Sequence, residues 1–235
     1  VEPIPDQGGR DPIGGVLIDA SAVQAAPAPI RSDEEATMPA RFVYWMNVSL
    51  DLLIERDPDD HRDLDTPDWL RIDEELHRDF TARAAALTML VEGRVVRDMM
   101  DPFWPDARND ETLPEYLREF GRVWTDLPKI LVSRTRTSSG HNTRIIGGED
   151  AIEQLAALRR EASGDIGVGG ADLATQLLEA DLIDELVLYT HPAILGSGRP
   201  VFDRPPTEPL LLDLLEQRRF GNGVTLHRYG VRGAA

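Results

Sequence analysis

From Arg41 onward the chain alternates short apolar runs with stretches whose apolar residues recur every three or four positions, and this alternation predicts the elements. "RFVYWMNVSL" (41–50) is dense in aromatic and β-branched residues and reads as a strand. Tyr44 and Trp45 are adjacent in it, so they should face opposite sides of a sheet. An acidic, proline-punctuated loop occupies 51–69. "DEELHRDFTARAAA" (73–86) predicts a helix, with Ile72, Leu76 and Phe80 recurring every four residues on one side. "LTMLVEG" (87–93) predicts a buried strand, "RVVRDMM" (94–100) a short helix, and a second helix is expected around 113–124.

Strands at "KILVS" (129–133) and "TRIIG" (143–147) precede an acid-led helix at 149–162, with Ile152, Leu155 and Ala156 on one face. Strand "DIGV" (165–168), helix "ADLATQLLEA" (171–180) and strand "ELVLYTHP" (185–192) follow. The segment 209–231 divides into two strands around Gly221-Asn222-Gly223, a hairpin signal. Strands alternating with helices and closing in a hairpin predict one three-layer α/β domain, with a central mixed, mostly parallel sheet and a C-terminal antiparallel hairpin. Residues 1–37, rich in Pro, Gly, Ala and acid without a period, predict a disordered extension, leaving 38–235 as the folded domain.

Charge narrows the classes of partner. A formal net charge of −17 opposes a nucleic-acid backbone, and no apolar run approaches the roughly 18 residues of a membrane span. The absence of cysteine removes disulfides, thiolate nucleophiles and thiolate metal sites, and fits a cytoplasmic setting. The five histidines (61, 77, 141, 191 and 227) have no partner at helical spacing, so a helical metal pair is not expected. His191 is expected to end a strand and order a turn. The acid run 57–65 is either a cation loop or a solvated one. An anionic ligand would need a local basic island, and two arginine pairs supply one: Arg94 and Arg97 after the strand ending at 93, Arg134 and Arg136 after the strand ending at 133.

A third strand exit carries Gly169-Gly170. A strand entering a helix through glycines exposes backbone N–H groups at the helix N-terminus and lets a phosphate approach closely, so 168–173 is either a diphosphate seat or an empty tight turn. The G-x-G-x-x-G fingerprint fails at Asp172, and no G-x-x-x-x-G-K-[ST] occurs.

In order along the chain, "MNVSLD", "DWLRIDEELHRDF", "GRVVRDMM", "PKILVSRT", "GDIGVGGADLATQLLEADLIDELVLYTHPAILGSGRPVF" and "RRFGNGVTLHRY" resemble the dihydrofolate-reductase-like family, specifically relatives of the C-terminal reductase domain of the bifunctional riboflavin-biosynthesis enzyme. The resemblance implies an NADPH-dependent reductase of a small heterocyclic or carbonyl substrate, working as a homodimer. Its narrower form is a pyrimidine reductase of riboflavin synthesis; a binding protein that holds NADPH without turnover is the other class. It also implies that Gly169 and Gly170 face the diphosphate, often across a cis peptide, and that Gly93 and Arg94 flank it. Ser133 and Arg134 would take the 2′-phosphate, and Thr135, Val168, Ala171 and Leu173 would also bind the cofactor, the last three within the diphosphate seat at 168–173. Where relatives read D-G-x-I this chain has Asp51-Leu52-Leu53-Ile54, and Val96 replaces the threonine of G-R-x-T. Asp51, at the mouth of the first strand, is the candidate for substrate contact or proton relay, or else an Asx-turn residue. Asp73 and Glu74 are candidates for a substrate carboxylate, or a helix cap and dipole partner. Trp69 would wall the pocket or anchor a loop.

Overall fold

The computed structural model describes residues 40–56, 69–204 and 206–233. The expected extension at 1–37 and the acid run 57–65 lie outside the described residues. Among the described residues ten strands and six helices form: β1 (Arg41–Val48), β2 (Leu53–Arg56), α1 (Glu74–Ala86), β3 (Met89–Gly93), α2 (Arg94–Met100), α3 (Trp104–Ala107), α4 (Glu115–Asp126), β4 (Lys129–Val132), β5 (Thr143–Ile146), α5 (Ala151–Glu161), β6 (Asp165–Gly169), α6 (Ala171–Glu179), β7 (Ile183–Thr190), β8 (Gly198–Pro200), β9 (Leu212–Arg219) and β10 (Thr225–Val231).

Eight strands make the main sheet in the order β5-β4-β3-β6-β1-β7-β10-β9. The first six run parallel; β10 is antiparallel to both β7 and β9. The expected fold class is the one found. Strand alternation divides the core between the two faces. Phe42 and Tyr44 pack on the side of α5 and α6, with Leu155, Leu173 and Leu177. Val43 and Trp45 turn to the side of α1 and α4, with Leu76, Phe80, Phe120 and Trp124. Tyr44, fully buried, satisfies its hydroxyl by donating to the carbonyl of Val201 at 2.7 Å.

The sequence pattern missed three short elements. β2 and β8 pair antiparallel as a separate ribbon, and α3 is a single turn. Ile72 stands before α1 and is exposed, so the core stripe of that helix is Leu76, Phe80 and Ala84 instead. Asp73 is the helix cap, its carboxylate accepting from the Leu76 N–H at 2.9 Å, and Glu74 pairs with Arg78 on the surface.

Candidate functional site

Because β5, β4, β3 and β6 are adjacent and parallel, their carboxyl ends form one row. Register places Glu92 opposite both Leu131 and Gly169, and Gly93 opposite Val132. The exits at 93, 133 and 169 therefore converge, and β5 adds a fourth at Gly147. Gly170 has φ +108°, a backbone open to glycine, and caps α6 by accepting from the Ala174 N–H at 2.9 Å. A Cβ on Gly170 would lie 3.7 Å from the nitrogen of Gly93, and one on Gly93 would lie 3.7 Å from the carbonyl oxygen of Gly169. The two glycine exits thus touch with no side chain between them. Every peptide bond among the described residues is trans, including Gly169-Gly170. Val168, Ala171 and Leu173 are buried around this turn. Their side chains serve the core, leaving the turn's backbone N–H groups as the polar face.

Ser133 is nearly buried, and its Oγ accepts from the N–H groups of Thr135 (3.3 Å) and Arg136 (3.1 Å), which coils 133–136 into a turn at the end of β4. Arg134 and Thr135 are exposed on that turn. Most arginines of this acidic chain are held by carboxylates, whereas Arg134 has no ion pair among the described residues. Asp98 gathers two others, accepting from Arg94 at 3.1 Å and Arg136 at 2.6 Å, so both guanidinium groups are held beside the row of exits.

Arg97 does not belong to this island. It is buried, paired with Asp101 at 2.8 Å and Glu92 at 3.7 Å, and its guanidinium lies 5.0 Å from the Trp124 ring centre. Trp124 Nε1 donates to Glu92 at 3.3 Å, and desolvation pushes the Glu92 carboxyl upward. The cluster ties α2 to β3 and α4 directly below Gly93, so Arg97 positions the exit rather than facing a ligand. Val96, Gly147 and Asp98 also shape the site. The methyl groups of Val96 lie 3.3 Å and 3.5 Å from where Cβ atoms of Gly169 and Gly170 would sit. Gly147 is required by Ser133, whose carbonyl oxygen would meet its Cβ at 2.4 Å. Sequence signals existed for two of them: Asp98 is four residues after Arg94, and Gly147-Gly148 repeats the strand-to-glycine pattern of Gly169-Gly170.

Asp51 lies two strands from β3, at the exit of β1. Its carboxylate accepts from the Ser49 hydroxyl (2.6 Å) and the N–H groups of Leu195 (3.1 Å) and Gly196 (2.8 Å). These bonds, the Ser49 hydroxyl foremost, hold it down at about 2. Asp51 is thus an ionised acceptor that moors the loop after β7. Leu52, beside it, has φ +59°. His191 is fully buried at the end of β7, its Nδ1 accepting from the Arg71 N–H at 2.9 Å and its Nε2 meeting Asn47 Oδ1 at 3.0 Å, while Trp69 packs edge-on against it. His191 and Trp69 together fasten the segment leading into α1. A concavity of about 580 Å³ opens elsewhere, at the amino ends of β4 and β5, lined by Lys129, His141, Asn142 and Arg144. It shares no residue with the row of exits. Among the described residues no cluster of His, Asp and Glu is arranged to hold a metal, and no helix is long and apolar enough to cross a membrane.

Comparison with known proteins gives the chain its family and its fold. The family model of the RibD C-terminal domain matches residues 43–226. The YyaP protein of Bacillus subtilis is 27% identical over 158 residues, which is 67% of this chain and 80% of that protein. Among solved structures, a protein assigned to riboflavin biosynthesis from Shewanella sp. PV-4 superposes with a TM-score of 0.59 at 21% identity, covering 82% of this chain and 99% of that one. The deaminase/reductase of Thermotoga maritima gives 0.56 at 13%, covering 83% of this chain and 57% of the longer enzyme. At these identities the structural likeness establishes the fold.

Proposed function

Because this chain belongs to the RibD C-terminal domain family, a family of reductases, we propose that it is an NADPH-dependent reductase of a small heterocyclic or carbonyl compound. The observation that supports this most directly is the meeting of the Gly93 and Gly169-Gly170 exits beside Arg134, which has no ion pair among the described residues. The residues fit the coenzyme. Two glycines leave the space a Cβ would fill, the N-terminus of α6 offers orphan N–H donors to a diphosphate, and Arg134 with Ser133 and Thr135 offers a guanidinium and hydroxyls to a 2′-phosphate. When bound, the coenzyme supplies a hydride to an electron-poor carbon and leaves oxidised. The chain's part would be to hold the dinucleotide, through the Gly93 and Gly169-Gly170 exits and the turn at 133–136. Asp51, ionised, orders the loop at the exit of β1, and the balancing proton comes from solvent.

Thermal unfolding tests the reading. NADPH at about 100 times its dissociation constant should stabilise the fold by about 2.7 kcal/mol, with NADH giving much less. Arg134→Gln should erase most of the difference between the two. Equal shifts from both nucleotides, or none, would reject it. A narrower reading, reduction of a phosphorylated pyrimidine in riboflavin synthesis, draws support from the same family match. It would require a phosphate-binding side chain on the substrate side of the site, in addition to the arginines placed for the coenzyme. We also propose that two copies associate through β9, whose outer edge pairs with no other strand among the described residues. The net charge of −17 argues against nucleic-acid partners.

A further inference from the structure

Leu52, at φ +59°, occupies the left-handed region in which a Cβ crowds the following carbonyl. The turn itself does not call for leucine. It is made by backbone groups and by serine: Ser49 N–H donates to the Leu53 carbonyl (2.8 Å), Leu52 N–H to the Ser49 carbonyl (3.0 Å), and Leu53 N–H to Ser49 Oγ (2.9 Å), while the Leu52 carbonyl accepts from Val201 N–H (3.0 Å). Glycine or asparagine would suit that backbone better. The core does not call for it either, since Leu52 is 49% exposed.

Leu52 has company. Leu50 is 61% exposed, Ile194 72% and Ile72 43%. Leu50 N–H donates to the Ala193 carbonyl at 2.7 Å, which puts the loops after β1 and β7 side by side, and the bond from Arg71 N–H to His191 brings the segment of Ile72 to the same end of β7. The carboxylate among them, Asp51, is engaged by Ser49 and by the backbone of 195–196. These loops leave the carboxyl ends of β1 and β7, and β1 adjoins β6 with its glycine pair. Strain of this kind is retained where surrounding structure and function both fix it.

Resting on the reductase reading, we propose that Leu52 is a specificity-determining residue: its strained turn presents an apolar side chain that, with Leu50, Ile72 and Ile194, forms the substrate-side lip of the site and selects an uncharged apolar ring over a phosphorylated one. The test is equilibrium dialysis of the full chain saturated with NADP+, using 1,4-naphthoquinone and its 2-sulfonate as probes. The wild type should hold the neutral quinone about tenfold more tightly than the sulfonate, and Leu52→Asn and Leu52→Gly should each weaken the neutral probe by about tenfold. Both variants should melt at or above the wild-type temperature, because both residues accept a left-handed backbone, and their NADPH-induced shift should match the wild type. A wild type that prefers the sulfonate or holds neither probe overturns the proposal, as do variants that bind like the wild type or melt well below it. A missing NADPH shift in the wild type would reject the coenzyme reading instead, and dialysis without nucleotide would still score Leu52.

Discussion

His77 is buried in α1 with the rings of Phe80, Trp104, Tyr116 and Phe120 within 5.8 Å of its own, and its Nδ1 has no hydrogen-bond partner. Burial holds its pKa below the ordinary histidine value. The unfolded chain therefore takes up a proton near pH 6.5 that the folded chain refuses until lower pH. Stability from this residue is complete above that value and is lost as pH falls through it. His77→Phe should thus lose less melting temperature than the wild type between pH 7.5 and about 5.5; parallel curves would mean the cage admits the imidazolium. Asp51 makes the opposite case. Ionised down to about 2, it contributes no acid limb at working pH. Asp51→Asn should leave the shape of the rate–pH profile unchanged while loosening the 193–196 loop, visible as faster proteolysis there. A limb between about pH 4 and 9 that vanished with the substitution would restore it as a proton relay.

At the scale of elements, the site depends on two glycine exits with different tolerances. Gly170 at φ +108° cannot take a side chain without strain, so Gly170→Ala should cost about 1–3 kcal/mol in unfolding experiments. Gly93 has an ordinary backbone, and its added Cβ would meet only normal contacts, the nearest at 3.7 Å. Gly93→Ala should therefore fold almost as stably as the wild type yet bind NADPH more weakly, since the methyl enters the space between the exits. Equal losses of stability would mean that both glycines serve packing alone. Convergence of these exits was legible beforehand because parallel strands carry their carboxyl ends to one edge, and "MLVEG", "KILV" and "DIGV" read as such strands. The helices α5 and α6 were legible from period. What stayed hidden depended on partners remote in sequence. Arg97 and Arg94 look alike on one short helix, each with an aspartate four residues on, and only Trp124, folded against Arg97, shows that one is buried and the other exposed. The four residues of β2 and three of β8 are too short for a period and exist because each pairs with the other. The left-handed turn at Leu52 was illegible for a related reason, as leucine is among the last residues expected there.

Across the whole molecule, the sheet ends asymmetrically. Its β5 edge is four residues long, which blunts it, whereas the opposite edge is the eight-residue β9. Leu211, Leu212, Leu214 and Leu215 are exposed on and beside β9, and its outer backbone groups have no strand partner among the described residues. A long apolar edge in a chain of this acidity is a surface that favours a second copy, because like-signed net charge keeps molecules apart unless a local apolar contact outweighs it. Antiparallel addition of β9 to itself across a two-fold axis would bring the Asp213 end of one strand toward the Arg218-Arg219 end of the other, so the proposed contact would be self-complementary in charge as well as apolar. Sedimentation velocity should accordingly give twice the 26.1 kDa chain mass, and Leu214→Lys with Leu215→Lys should halve it while leaving the NADPH-induced melting shift in place, since β9 is three strands from β1 and farther still from the glycine exits. A wild type that sediments as a single chain would assign these leucines to some other partner, and a nucleotide shift lost with the dimer would mean that the coenzyme site is completed across the interface.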